Sequence, residues 1–194
     1  MLFALLLLLA ADPTGTYELQ GVREMASALE LAKGGTFRYA LAYGAADYSA
    51  EGTWKLDGDA VVLNSKVTDA VPVKIVRSSA GTSDAIRIVL KSTQGRPIPN
   101  IGVYLNETRQ QTDSDGAVMF PPSKSDRVVR IEVRVYQFES TPFPLKSGDN
   151  EVEFALNGEA LTQVPFKNER LKITGDVLEL RFWDPDKAMR YKKQ

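Results

Sequence analysis

The sequence predicts an all-β protein in which an antiparallel barrel is interrupted by an inserted β-sandwich. Residues 29–63 carry apolar side chains at every second position between glycine turns, as short antiparallel strands do. Residues 86–156 also read as short strands, but with a different set of glycine and proline turns. The first pattern returns after residue 158, so the second region is nested inside the first.

The clearest strand signal is TFRYALAY at residues 36–43, where four large apolar residues alternate with small or charged ones. Period two indicates a strand with one buried face. Gly34-Gly35 before it supplies the positive φ of a tight hairpin, and Asp57-Gly58-Asp59 predicts a second turn. Connections this short cannot join parallel strands, which need about a dozen residues or more. The region is therefore an antiparallel meander.

Residues 1–11, MLFALLLLLAA, form a continuous apolar run. A spanning helix needs about 20 such residues, whereas a shorter run ending in small residues is typical of a secretory signal peptide. No cysteine follows, which excludes a lipid anchor on cysteine. We expect a periplasmic or secreted protein of the bacterial envelope, with no membrane span after signal removal. The alternatives are a wrongly assigned start of the chain or a plain N-terminal strand.

Three further stretches set the limits of the first barrel segment, which we place at residues 13–78. Residues 22–32 favour helix by composition, but the glycine hairpin after them favours strand from Ala28 onward. Residues 71–76 predict a strand, and Pro72 near its start indicates an edge position. Small polar residues at 78–84, SSAGTSD, predict the linker to the insert.

The stretch GRPIPNIGVYLNETRQQTDSDGAVMF resembles the carboxypeptidase regulatory-like domain, a transthyretin-like β-sandwich. It combines a Gly-x-Pro-hydrophobic-Pro turn with a Thr-x-x-Asp-Gly turn and a hydrophobic-x-Phe strand. The resemblance covers about residues 84–157 and implies a fold rather than an activity. In such modules the matching residues set turns and fill the core; here they are Gly95, Pro97, Ile98, Pro99, Thr112, Asp115, Gly116, Val118 and Phe120.

The flanks, residues 13–78 and 158–194, together resemble a lipocalin-like (calycin) small barrel of bacterial envelope type. The resemblance is carried by Gly15-x-Tyr17, Gly52-Thr53-Trp54 and Gly175-Asp176-x-Leu178-x-Leu180. Physical reasoning agrees, because the flanks together supply eight or nine strands, about the number that closes around packed side chains or one small ligand. An insertion is tolerated where chain ends lie close together at the surface.

Composition excludes several classes of function. Net charge is −1 and the charges of both signs are interspersed, so the sequence shows no basic patch that could bind nucleic acid. The chain has no histidine and no cysteine, which excludes imidazole-dependent triads, the usual zinc and haem ligands, and disulfides. Asp113-Ser114-Asp115-Gly116 begins like a calcium loop but lacks its later acidic ligand, which favours a turn. We expect no metal, no cofactor and no enzymatic activity, since no nucleophile has a recognisable base beside it.

Five aromatic residues are candidates for a binding site in the barrel: Tyr17, Tyr39, Tyr43, Tyr48 and Trp54. Aromatic walls are typical of ligand pockets, but the same side chains can form a packed barrel core. We expect Tyr48 in a polar loop at the barrel mouth, and Arg38 and Arg181 on the outside. Two binding hypotheses follow: a small apolar or aromatic ligand bound in the barrel, or an envelope protein or cell-wall partner bound by the inserted sandwich. The third hypothesis is a hydrolase without histidine, and it is disfavoured because no spacing singles out a catalytic pair of carboxylates.

Overall fold

The computed structural model describes residues 12–66, 70–123 and 126–194. The predicted signal peptide at residues 1–11 lies outside the described residues. The described chain forms two compact units, one from residues 12–66 and 164–194 and the other from 70–163. Strands dominate both units, which confirms the predicted all-β fold class.

In chain order the strands are β1 (Gly15–Leu19), β2 (Met25–Leu31), β3 (Thr36–Tyr43), β4 (Ala46–Asp57), β5 (Ala60–Ser65), β6 (Val73–Ser79), β7 (Ile86–Ser92), β8 (Gly102–Leu105), β9 (Thr108–Gln111), β10 (Ala117–Phe120), β11 (Val128–Val133), β12 (Phe138–Glu139), β13 (Phe143–Pro144), β14 (Glu151–Leu156), β15 (Lys167–Thr174), β16 (Val177–Leu180) and β17 (Met189–Lys193). Among the described residues, one short helix, α1 (Gly158–Thr162), precedes β15, and a 3₁₀ turn at Arg134–Tyr136 follows β11.

The first unit is a closed eight-stranded antiparallel barrel with the order β1-β17-β16-β15-β5-β4-β3-β2. Closure is made by β1 and β17, whose register pairs Tyr17 with Lys193 and Leu19 with Tyr191. Glycine turns join the neighbouring strands β2 and β3, β4 and β5, and β15 and β16. The predicted meander at residues 29–63 is thereby confirmed, and eight strands is within the expected number.

The second unit contains two sheets that share one hydrophobic core. One sheet has the order β10-β7-β14-β6, with β7 and β14 parallel; the other is built on β12-β11-β8-β9, with β13 beside β11. Ile88 and Leu90 from β7, Ile131 from β11 and Phe154 from β14 are all fully buried in this core. Gly116 closes the turn before β10 with φ +70°, and a Cβ there would lie 2.4 Å from the Leu90 carbonyl oxygen.

Three sequence predictions need correction. The pattern places residues 71–78 in the barrel, but β6 pairs with β14 of the second unit from Val73 to Ser79. Alternation of apolar side chains with a period of two residues identifies a strand and its buried face, but it does not show which sheet the strand joins. Residues 158–163, also placed in the barrel, belong to the second unit and contain α1. The barrel segments are therefore 12–66 and 164–194. The expected edge position is correct, since β6 ends its sheet.

The third correction concerns residues 47–49, which the polar composition places in a loop. They lie within β4, where Ala42, Leu41 and Ala40 of β3 pair with them in order. Polar and aromatic residues are accommodated there because one face of the strand is exposed: Asp47 and Ser49 are exposed, while Tyr48 packs partly against the core.

Candidate functional site

Core side chains fill the middle of the barrel. Alternation along β3 turns Phe37, Tyr39 and Leu41 inward, each about 2–3% exposed. Tyr191 from β17 is completely buried opposite them. An eight-stranded barrel encloses a space just wide enough for such side chains to fill. The remaining buried members of this core are Tyr17, Leu29, Leu31, Ala50, Val61, Leu63, Val164, Phe166, Leu171, Leu178 and Leu180.

One end of the barrel is closed by aromatic side chains from outside the strands. Residues 181–188 connect β16 to β17, and Phe182 and Trp183 in this segment turn toward the barrel core. The Phe182 ring lies 5.1 Å from Phe166 at 80°, and the Trp183 ring lies 5.0 Å from Tyr48 at 60°. Tyr39 completes the group at 5.1 Å from Phe166. Edge-to-face contacts of this kind contribute about 0.5–1.5 kcal/mol each beyond the area they bury.

A chain of hydrogen bonds runs through this aromatic end. The Trp183 indole N–H donates to the Tyr39 hydroxyl over 3.1 Å. The Tyr39 and Tyr191 hydroxyls are 3.3 Å apart, and that of Tyr191 is 2.9 Å from the Ser27 hydroxyl. Ser27 donates in turn to the Ala40 carbonyl oxygen over 2.6 Å. Burial raises the pKa of Tyr191 far above its ordinary value, because the phenolate would be poorly solvated inside the barrel.

The predicted site residues Tyr17 and Trp54 lie elsewhere and make structural contacts. The Tyr17 hydroxyl donates to the Pro13 carbonyl over 2.8 Å and fixes the chain before β1. The Trp54 indole N–H donates to the Ala32 carbonyl over 2.9 Å at the β2–β3 turn.

Tyr43 does not line the barrel interior as its alternation predicts. It is 46% exposed and is the last residue of β3. Of the five predicted residues, the structure brings only Tyr39 and Tyr48 together, and both meet Trp183. Neither Phe182 nor Trp183 is among the residues that the sequence pattern predicts for the site. Two adjacent bulky aromatics before the Asp184-Pro185 turn are the signal that points to them.

Glu169 is also not among the residues predicted from the sequence, and its carboxyl group is on the face of β15 that points into the barrel. It shares a face of β15 with Leu171 and Ile173, both of which pack in the barrel core, and it pairs with Leu63 of β5. Burial raises its pKa above the ordinary glutamate value. The two-residue spacing Glu169-x-Leu171-x-Ile173 is the pattern that could have revealed it.

The outer wall of the barrel is charged and open. Arg38 is exposed, as predicted, and borders a shallow groove of about 580 Å³ with Glu30, Glu51 and Lys66. Two acidic and two basic side chains balance each other there, so the groove selects neither sign of ligand. Arg181 is exposed as well and donates to the Pro185 carbonyl within its own loop.

The motif Asp113-Ser114-Asp115-Gly116 forms a turn. One Asp113 carboxylate oxygen accepts hydrogen bonds from the backbone N–H groups of Asp115 and Ala117, at 2.9 and 2.8 Å. Within residues 12–66, 70–123 and 126–194, no three acidic side chains are grouped so that they could hold a metal ion.

The second unit presents one aromatic and charged surface, on the outer face of β8, β9 and β11. The Arg130 guanidinium lies over the Tyr104 ring at 4.8 Å, and Arg109 lies 6.0 Å from the same ring. Arg130 pairs with Glu139 at 2.5 Å, and Arg109 with Glu132 at 2.7 Å. The arginines are thus held in fixed positions around a partly exposed tyrosine.

Comparison with known proteins adds no relative: no family model, no curated protein and no solved structure matches this chain. None of the helices in the described ranges is both long enough and apolar enough to cross a membrane.

Proposed function

We propose that this chain is an exported, non-enzymatic protein of the bacterial envelope whose barrel binds a small apolar or aromatic ligand at one end. The observation that carries the proposal is the aromatic group at the barrel end, where Trp183 and Phe182 meet Tyr39 and Tyr48. Because core side chains fill the middle of the barrel, the ligand position is its mouth rather than an open lumen. Aromatic walls with a few fixed polar groups are typical of small-molecule sites.

Binding is favoured over catalysis by the chemistry of this end. Its polar groups are hydroxyls and one indole N–H, and Tyr191 has its pKa raised by burial, which disfavours the phenolate that a base would need. Ser27 donates its proton to a backbone carbonyl rather than to a base. Such groups orient a ligand by hydrogen bonds but do not activate a nucleophile.

We also assign the barrel to the lipocalin-like type and residues 70–163 to the carboxypeptidase regulatory-like type. The first assignment is supported by closure at eight strands and by the Gly52-Thr53-Trp54 segment in β4. The second is supported by two sheets around one core and by the tight turn at Gly116. Export is inferred from the apolar run at residues 1–11.

Native mass spectrometry of the mature protein, purified from the envelope fraction of its own host, tests the proposed function. We expect an added mass of a few hundred daltons that survives gentle ionisation and is lost on denaturation. A single apo mass from several preparations would contradict ligand binding, and a complex with another protein would favour the second candidate.

The second candidate function is docking of a protein or cell-wall partner by the inserted sandwich. It is favoured by the Tyr104 ring held between Arg130 and Arg109, because tyrosine and arginine are enriched at binding hot spots. A pull-down from envelope extracts with wild type and Tyr104→Ala tests it. Loss of a partner in the variant supports docking, with exposed Tyr43→Ala as the control. If both variants recover the partner as well as wild type does, this surface is not the docking site.

A further inference from the structure

The side chain of Trp183 occupies the barrel mouth without belonging to a barrel strand. Its ring contacts Tyr48 at 5.0 Å and Phe182 at 5.4 Å, and its N–H reaches the Tyr39 hydroxyl at 3.1 Å. The residue nevertheless remains 37% exposed. The indole is therefore held by several specific contacts while part of it faces solvent.

The segment that carries Trp183 is held to the barrel mainly through its aromatic side chains. Its described hydrogen bonds other than that of Trp183 are internal: Lys187 N–H to the Asp184 carbonyl at 3.2 Å, Asp186 N–H to the Asp184 side chain at 2.9 Å, and Arg181 to the Pro185 carbonyl at 3.1 Å. These bonds would persist if the segment moved as a unit. Withdrawing Trp183 from the mouth would therefore break one hydrogen bond and a few ring contacts.

Tyr39 determines what could replace the indole. This residue is 2% exposed, and its hydroxyl accepts the hydrogen bond of the Trp183 indole N–H. A planar hydrocarbon there would remove the indole hydrogen bond and leave the Tyr39 hydroxyl only its bond to Tyr191, a loss of about 0.5–1.5 kcal/mol. A planar ring with an N–H or O–H at its edge would restore the bond and the contact to Tyr48, which lies in β4 and stays in place.

We propose that the position of the Trp183 indole is the ligand site of the barrel, that it accepts a planar aromatic group bearing one N–H or O–H donor, and that Trp183 fills it when no ligand is bound. This inference rests on the proposed ligand-binding function and names its ligand class. Ligand binding then requires displacement of Trp183, so the intramolecular indole competes with the ligand and lowers its apparent affinity.

Fluorine NMR of the full chain labelled with 5-fluorotryptophan tests the displacement. The chain has two tryptophans, so two resonances are expected, and Trp54→Phe assigns them. Indole is the probe and indene, which has no N–H, is the matched hydrocarbon control. We expect indole to shift the Trp183 resonance in a saturable way and to leave that of Trp54 unchanged. An unmoved Trp183 resonance, or equal movement of both, would overturn the proposal.

Two variants examine the mechanism separately. Trp183→Ala removes the competing ring, and we expect it to bind indole at least tenfold more tightly than wild type, measured by calorimetry. Tyr39→Phe removes the acceptor, and we expect the preference for indole over indene to fall by about fivefold, the effect of one hydrogen bond. Equal indole affinity in Trp183→Ala and wild type would overturn the competition.

These results separate this inference from the proposed function. If native mass spectrometry finds a bound small molecule while the Trp183 resonance is insensitive to both the probe and that molecule, the barrel binds its ligand elsewhere and only the inference fails. If the purified protein carries no ligand and indole moves neither resonance, both fail.

Discussion

Substitution of Gly52 by alanine should destabilise the barrel strongly. Gly52 lies in β4 opposite Phe37 of β3 and Ser65 of β5. A Cβ atom at this position would lie 2.0 Å from the Asn64 carbonyl oxygen and 2.9 Å from a ring carbon of Phe37. The first neighbour is backbone of a paired strand and the second is a side chain only 2% exposed, so neither can rotate away.

The magnitude follows from what must move. Relieving an overlap of more than 1 Å requires β4 and β5 to separate near this residue. Overpacking of a core costs about 1–3 kcal/mol, and each ladder hydrogen bond weakened by the separation costs about 1 kcal/mol more. We therefore expect a loss of about 3–4 kcal/mol, a large part of the 5–15 kcal/mol that stabilises ordinary domains.

Urea unfolding followed by tryptophan fluorescence measures this loss for the barrel alone, since Trp54 and Trp183 both lie in that unit. With a slope of about 2 kcal/mol per molar urea, the midpoint should fall by roughly 1.5–2 M at unchanged slope. Gly34→Ala is the matched control, because a Cβ there meets nothing within 4 Å. We expect that control to lie within about 0.5 kcal/mol of wild type. Equal midpoints for the two variants would refute the steric reasoning.

Three further predictions concern the barrel. Tyr191→Phe should cost about 1–2 kcal/mol through its lost hydrogen bonds. Wild type should also lose stability as pH rises above about 10, because Tyr191 ionises there in the unfolded chain but not when it is buried. The variant should lose less stability over this range, and parallel curves of stability against pH would contradict the prediction. Glu169→Gln should raise the urea midpoint at pH 7 but not at pH 3, because a raised carboxyl pKa means that wild-type stability is lost as pH rises through the glutamate range. Exposed Glu30→Gln is the control, and an unchanged midpoint of Glu169→Gln at pH 7 would contradict this prediction. Replacing residues 67–163 by a short glycine linker should leave a folded barrel, because Ser65 hydrogen-bonds to Val164 and Phe166 across the insertion point. Loss of the near-ultraviolet circular dichroism signal in this variant would contradict the prediction.

The sequence predicted the fold class and most of the barrel because both depend on local pattern. Alternation in β3 and the glycine turn before it determine a strand, its buried face and its hairpin partner without distant information. The placement of β6 could not be predicted in this way. Its partner β14 lies more than 70 residues away, and either unit could have used a strand with Val73 and Ile75 on one face.

The candidate site was predicted less well than the fold. Tyr39 follows from alternation, whereas the sequence predicts a loop for Tyr48, which lies in β4. Trp183 lies in a connection, where no periodicity indicates the direction of a side chain. Tyr43 illustrates the opposite error, since alternation at the last residue of a strand does not ensure that a barrel wall encloses it. Site residues in loops and at strand ends depend on tertiary contacts that a single sequence does not display.

The position of the insert has a consequence for the order of folding. The barrel must join Ser65 to Phe166, which are 101 residues apart, and closing so long a loop is entropically costly. Within the insert, β6 and β14 pair Val73 with Leu156, so an insert that folds first shortens the effective loop to roughly 20 residues. The closure cost then falls by about 1.4 kcal/mol, which makes the encounter of β5 with β15 about tenfold more probable. Prior folding of the insert thus speeds completion of the barrel, and a mutation that unfolds only the sandwich should slow barrel folding without changing a barrel residue.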